Sequence, residues 1–464
     1  MATQERMASV DALWFHMEAP ANLMMITAVL GFEGRLDFER LRTLVLTRLV
    51  ERYPRFRQRV VLGRLGAPHW EDAEDFDLDA HVVRLPVPAP GDRAAQEAVV
   101  SQWMSTPLER SRPLWQVHVL EGAQGGDVLL ARLHHCLSDG IALARVLLSL
   151  TDGEGAPAAA APEPAWERPR TPEAGLGRWM RGALAVAGTA RTVWRKGAEL
   201  AAEPILAGDL MRQGALGAAA LGKLMVIPPD PRTPLRGTLG QQKRAAWSSP
   251  IPLERVKQVG QALGGTVNDV LLAVLSGALR RYLEARDVAP EDLHALVPVN
   301  LRPLDEPVPR ELGNRFGVVF LRLPVHAESP RRRLSEVARR MAAVKKSPEA
   351  VVTFSALELL GYTPAPLERM VVDVFGSKAS LVATNVPGPR QPVSLAGVRL
   401  RELTFWVPQA AQLGVGVSLF SYAGQVTVGV AADVLRVPDP RVLIQDFHDE
   451  LDALVGEAAA ALDA

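Results

Sequence analysis

Apolar positions along the chain fall either in short unbroken runs or at helical spacing. Met24 to Phe32 (MMITAVLGF) is a continuous run of strand length. Leu36 to Tyr53 places Phe38, Leu41, Leu44, Val45 and Leu49 three and four residues apart, which predicts one amphipathic helix. Ala94 to Thr106 predicts a second helix. Leu114 to Leu120 predicts a strand, and Asp127 to Leu133 is short and apolar enough to be a buried one. Asp139-Gly140 then opens a helix predicted over Ile141 to Leu150.

The pattern changes at Thr151. Thr151 to Glu173 is dominated by Ala, Pro, Gly and Glu and reads as a linker or exposed loop. Gly175 to Met225 is a helical tract of low complexity, closed by the Pro-rich Ile227 to Pro234. From about Gly240 the alternation resumes, with helices over Leu253 to Leu263 and Val270 to Leu283, the latter led in by Thr266-Val267-Asn268-Asp269. Strands are predicted over Leu293 to Val299 and Gly317 to Leu323, and a helix over Pro330 to Lys346. Gly414 to Tyr422 and Gln425 to Ala431, parted by Ala423-Gly424, predict a hairpin, and Pro440 to Leu462 a final helix. Strands and helices alternate in both halves, so the fold class is α/β or α+β. The 464 residues exceed one ordinary core. The expected organisation is a first lobe over 1–150, a linker and helical tract over 151–239, and a second lobe over 240–464.

Composition narrows the classes. Lys+Arg and Asp+Glu both number 52, so no global field favours nucleic acid. The hydrophobic fraction of 48% is that of a globular chain. Cys136 is the single cysteine, which excludes an intrachain disulfide and fits a reducing compartment. The first residues lack a signal-peptide core, and no apolar run reaches the length of a membrane span, so the protein is expected to stay inside the cell.

The candidate chemistry lies in His134-His135-Cys136-Leu137-Ser138-Asp139-Gly140, where a predicted buried strand meets a predicted helix. A histidine at such a junction can point into a cleft, and a helix N-terminus disfavours the imidazolium, leaving a neutral ring able to take a proton. Asp139 can cap the helix or pair with an arginine, and Gly140 relieves steric limits on the backbone. The alternative is two satisfied core histidines beside a plain cap. Adjacent histidines on a strand face opposite sides, and the remaining histidines lack ligand spacing, so no metal site is expected. A thiol nucleophile at Cys136 would need its neighbour His135 in a geometry that adjacent side chains rarely reach, so Cys136 is expected to be a small packed residue.

Further segments carry a resemblance. Ser9-Val10-Asp11-Ala12, Phe76-Asp77-Leu78-Asp79-x-His81-Val82, Pro107 to Trp115, Thr266 to Val270, Val297 to Arg302, Leu312-Gly313-Asn314-Arg315 and Thr384-Asn385-Val386-Pro387-Gly388-Pro389 occur in that order with the His-His segment. In this the chain resembles the bacterial wax ester synthase/diacylglycerol acyltransferase family of the chloramphenicol-acetyltransferase-like superfamily. The match covers nearly the whole chain and is weakest over Thr151 to Pro228. The His-His pattern alone also fits condensation domains of peptide synthesis.

The resemblance implies two acetyltransferase-like lobes meeting along a tunnel. It also implies transfer of a fatty acyl group from acyl-CoA, a substrate and not a cofactor, to a long-chain alcohol or a diacylglycerol. His135 would be the general base, with no acyl-enzyme. Asp139 would be structural, paired with Arg302. Asn268 and Asp269 would meet the site from the other half, with Asn268 a donor to substrate or oxyanion, or alternatively a helix N-cap. Pro113-Leu114-Trp115 and Asn385, Pro387, Gly388 and Pro389 would be architectural, with Trp115 in the core. Trp179 and Trp194 among Arg178, Arg181, Arg191, Arg195 and Lys196 suit either the surface of an anionic membrane or a helix packed on the lobes. The expected location is the cytoplasm, at the inner face of the membrane or at lipid inclusions. A condensation-type enzyme using carrier-protein thioesters and a catalytically silent lipid-binding protein are the other readings.

Overall fold

The computed structural model describes residues 4–63, 66–152, 227–302, 306–361, 365–409 and 411–462. The loop read at Thr151 to Glu173 and the tract Gly175 to Met225, with its tryptophans and arginines, lie almost wholly outside the described residues.

Met25–Phe32 is buried at all eight positions because it is an interior strand covered on both faces. It runs antiparallel to Val128–His134 on one side and to Val398–Trp406 on the other. With Trp115–Glu121, Val82–Pro86 and Ser394–Leu395 these make a six-stranded mixed sheet. Two of its strands therefore come from the far end of the chain. A second, seven-stranded sheet contains, in order, Phe316–Leu323, Leu293–Asn300, Leu381–Pro387, Val415–Tyr422, Gln425–Asp433 and Lys243–Trp247, with Ile251–Pro252 beside Gln425–Asp433. The hairpin predicted at Ala423-Gly424 is present. Both turn residues have positive φ, 46° and 76°, the backbone that a two-residue turn between twisted strands requires.

Helix Val267–Glu284 is buried along most of its length under the second sheet, against Leu253–Leu263, Pro330–Lys345 and Arg441–Leu462. The helix predicted over Leu36 to Tyr53 divides into an α-helix, Phe38–Leu44, and a π-helical turn, Val45–Val50. The buried residues Leu41, Val45 and Leu49 step by four, wider than the α repeat, and the π turn keeps them on one face. The core of the first lobe also takes in Leu312, Phe316, Phe354, Val386, Phe405 and Phe420 from the second half, so the halves interlock. No single helix among the described residues is long and apolar enough to cross a membrane.

Candidate active site

Strand Val128–His134 delivers the His-His segment to the seam between the sheets. The two rings go to different surroundings, as their strand-end position predicts. His134 Nδ1 accepts the Cys136 N–H at 3.1 Å, so its proton sits on Nε2, which lies 3.6 Å from Glu18 Oε2. Burial pushes the Glu18 carboxyl up, but His134 and Arg110 (2.6 Å) outweigh it and hold it below the usual range. His134 is thereby committed to the fold of its own turn.

His135 is free of such commitments. The residue is 3% exposed, and its ring stacks on Trp14, with centroids 4.3 Å apart and planes at 22°, while Phe316 of the second lobe closes it at 5.5 Å. Nδ1 is buried without a hydrogen-bond partner among the described residues. The polar groups that favour a proton on the ring are its own carbonyl and the Asn314 side chain. Burial outweighs both and, with His134 adding to it, lowers the ring to about 3. Its neutrality comes mainly from burial.

The loop after His135 is pinned to the second lobe. Ser138 Oγ donates to the Gly313 carbonyl at 2.9 Å, and the Gly313 N–H donates to Leu137 O at 3.1 Å. Asp139 performs both functions the sequence left open. Its Oδ1 caps helix Gly140–Leu148 by accepting the Ala142 N–H at 2.9 Å. Its Oδ2 accepts the Arg315 N–H at 3.2 Å and lies 3.8 Å from Arg302 Nη1. Arg302 Nη2 donates to Gly313 O at 3.0 Å. Gly140 is small for a reason other than the one read from the sequence. Its φ is not positive; a Cβ there would sit 3.2 Å from Val407 Cγ1 and 3.5 Å from Phe405.

Comparison with known proteins places this arrangement. Residues 7–271 match the wax ester synthase/diacylglycerol acyltransferase catalytic domain, and residues 312–455 match the C-terminal domain of the same family. Proteins named as diacylglycerol O-acyltransferases in Mycobacterium bovis and Mycobacterium tuberculosis are 31% identical over 410 residues, covering 86% of this chain and 84% of theirs. The chain belongs to the wax ester synthase/diacylglycerol acyltransferase family. The acyltransferase shares its fold with the wax ester synthase/diacylglycerol acyltransferase from Marinobacter aquaeolei, at 24% identity and a TM-score of 0.67, over 98% of this chain and all of that one. A condensation domain of the calcium-dependent antibiotic synthetase has the same architecture at 17% identity and a TM-score of 0.59, over 98% of this chain and 96% of that one. The two-lobe α/β fold expected from the motifs is therefore shown.

In the acyltransferase the other motif residues support this seam. Pro113, Leu114 and Trp115 are buried. The Leu114 carbonyl accepts the His134 N–H at 2.9 Å, and Trp115 Nε1 donates to Phe56 O at 2.7 Å, as a core residue. Thr266, not Asn268, caps helix Val267–Glu284. Asp269 closes the reciprocal capping box, with Oδ2 accepting the Thr266 N–H at 2.9 Å. Asn385 lies within strand Leu381–Pro387, and its Nδ2 donates to Asn268 Oδ1 at 2.7 Å. Gly388 has no room for a side chain, since a Cβ would meet Phe420 at 2.5 Å and the Ser421 carbonyl at 2.6 Å. The Pro389 carbonyl accepts the Ala423 N–H at 2.9 Å. Among the described residues no hydrogen bond joins Asn268 or Asp269 to His134–Gly140.

Cys136 is fully buried, and burial pushes its thiol well above the ordinary value. A cavity of about 290 Å³ opens between the lobes, lined by Met17, Asn22 and Met24 on one side and Arg369, Val372 and Gln412 on the other. His135 is not among its lining residues; the nearest link is through the backbone, where the Met24 carbonyl accepts the His135 N–H at 2.7 Å. Sequence reasoning missed Trp14 and Phe316 as walls of the ring and Glu18 as the partner of His134. Aromatics make up only 5% of the chain, and nothing in linear order joins Trp14 to Phe316.

Proposed function

We propose that the acyltransferase moves a fatty acyl group from acyl-CoA to the hydroxyl of a long-chain alcohol or a diacylglycerol, with His135 as general base. The observation that carries the reading is a neutral, buried imidazole with an unpaired nitrogen at the seam between two lobes. His135 takes the proton from the acceptor O–H as its oxygen attacks the thioester carbonyl. The tetrahedral oxyanion collapses with cleavage of the C–S bond, and the imidazolium returns its proton to the coenzyme A thiolate. Base assistance of this kind contributes about a hundredfold or more. No acyl-enzyme enters the scheme. The only cysteine is walled in as a thiol, and the thiolate is the nucleophilic form.

His134 and Asp139 hold the loop rather than move protons. The Asn385 amide donates to Asn268 Oδ1, which leaves the Asn268 NH2 as the donor offered to substrate or oxyanion. Relatives named as diacylglycerol O-acyltransferases favour a glycerolipid acceptor. Such acceptors reside in bilayers or lipid inclusions, so the enzyme works at a lipid surface.

Labelled palmitoyl-CoA incubated with hexadecanol and dioleoylglycerol together, with products separated by chromatography, tests the reading. Label is expected in triacylglycerol, wax ester or both, with stoichiometric free thiol. Hydrolysis to palmitate alone, or transfer only from acyl-carrier protein, would overturn it.

A further inference from the structure

The main chain of His135 is held from both lobes. Its N–H donates to Met24 O within the first lobe. Its carbonyl accepts Asn314 Nδ2 of the second lobe at 2.7 Å. Asn314 Nδ2 also donates to Asp11 Oδ1 at 2.7 Å, and the Asn314 backbone N–H donates to that same oxygen at 2.9 Å. Both residues are buried, Asn314 at 8% and Asp11 at 5% exposed. The amide has one satisfactory orientation, because flipping it would set Oδ1 against a carbonyl and a carboxylate. Leu312 and Gly313, at φ 53° and 100°, form the left-handed turn that presents Asn314. Asp11 stands one turn before Trp14 on helix Ser9–His16, so the anchor of the amide and the ring stacked on His135 belong to one rigid element.

We propose that Asn314, oriented by Asp11, is the positioning residue of the general base, holding His135 in its productive pose only while the two lobes are docked. The inference rests on His135 being the base. Asn314 Oδ1 is itself buried without a partner, and this side chain favours the protonated ring, so the clamp also supports the imidazolium formed during transfer. Misplacing a reacting group by about 1 Å costs on the order of a hundredfold, so loss of the clamp falls on the rate and not on substrate binding.

The test compares wild type, His135→Ala, Asn314→Leu and Asp11→Asn in palmitoyl transfer to dioleoylglycerol, with thermal unfolding recorded for each. Asn314→Leu keeps the branched shape, with somewhat greater bulk, and removes the donor. It is expected to lower kcat about tenfold or more, with KM for palmitoyl-CoA within about twofold. Asp11→Asn keeps an acceptor oxygen but loses the charge that orients the Asn314 amide, and is expected to lower kcat in the same direction as Asn314→Leu but less. If Asn314→Leu does not fold, Asn314→Ser, which leaves the backbone bond to Asp11, takes its place under the same thresholds. A folded Asn314 variant with wild-type kcat, or one impaired only in KM, overturns the clamp. Inactive His135→Ala beside a fully active Asn314 variant sinks the clamp alone, whereas active His135→Ala sinks the reading of the base with it.

Discussion

At the scale of single residues, burial decides which groups can do chemistry. His135 and Cys136 are neighbours and both buried, yet with opposite consequences. An imidazole held neutral is a competent base, whereas a thiol held protonated is not a nucleophile. Cys136→Ala is therefore expected to retain near-wild-type transfer, measured with palmitoyl-CoA and dioleoylglycerol; a hundredfold loss would point to a thiol role. Asp11 gives a pH signature. Burial raises its carboxyl to about 6 from an ordinary 3.8, against the bonds from Asn314. A raised carboxyl adds stability below pH 3.8 that is lost as pH climbs through 6, an effect on the order of 2–3 kcal/mol. Asp11→Asn lacks this dependence. The unfolding midpoint of wild type should gain on that of the variant between pH 7 and pH 4.5, and a constant gap would contradict the environment described for Asp11. His135, depressed from 6.5, contributes in the opposite sense in both proteins and cancels from the comparison.

At the scale of elements, the segment Thr266-Val267-Asn268-Asp269 divides between residues that cap its helix and one that does not. Thr266 and Asp269 satisfy the start of helix Val267–Glu284 and Asn268 does not. Asp269→Ala should therefore cost about 1 kcal/mol in denaturant unfolding and leave kcat nearly unchanged once folded, while Asn268→Ala should spare stability and lower kcat about tenfold. The reverse pattern would exchange their roles. The periodic elements were legible in sequence: Leu253–Leu263 coincides with its prediction, and the strands beside His134 fall within one or two residues. Val398–Trp406 and Leu381–Pro387 were not, because a strand near one end of the chain is identified by its partner, and Met25–Phe32 lies more than 360 residues before Trp406. The His-His segment was readable because its residues are local. The Asp11–Asn314 contact, spanning 303 positions, is a product of the fold.

At the scale of the whole molecule, the site exists only where the halves interlock. Ser138, Asp139 and the His135 carbonyl all bond to residues 313–315. For a chain with no net charge the proposed docking on a lipid surface would fall to local features, and Gly175 to Met225, with two tryptophans among seven cations, is the sequence suited to it. Binding to anionic liposomes is expected to weaken with salt and to fall on deleting this tract; unchanged binding by a folded deletion variant would exclude it. The role of His135 as general base is tested by the single-turnover rate of palmitoyl transfer to dioleoylglycerol in wild type and in His135→Ala, each preloaded with palmitoyl-CoA. The variant is expected to be slower by about a hundredfold or more with palmitoyl-CoA still bound. Equal rates in the two proteins would contradict it.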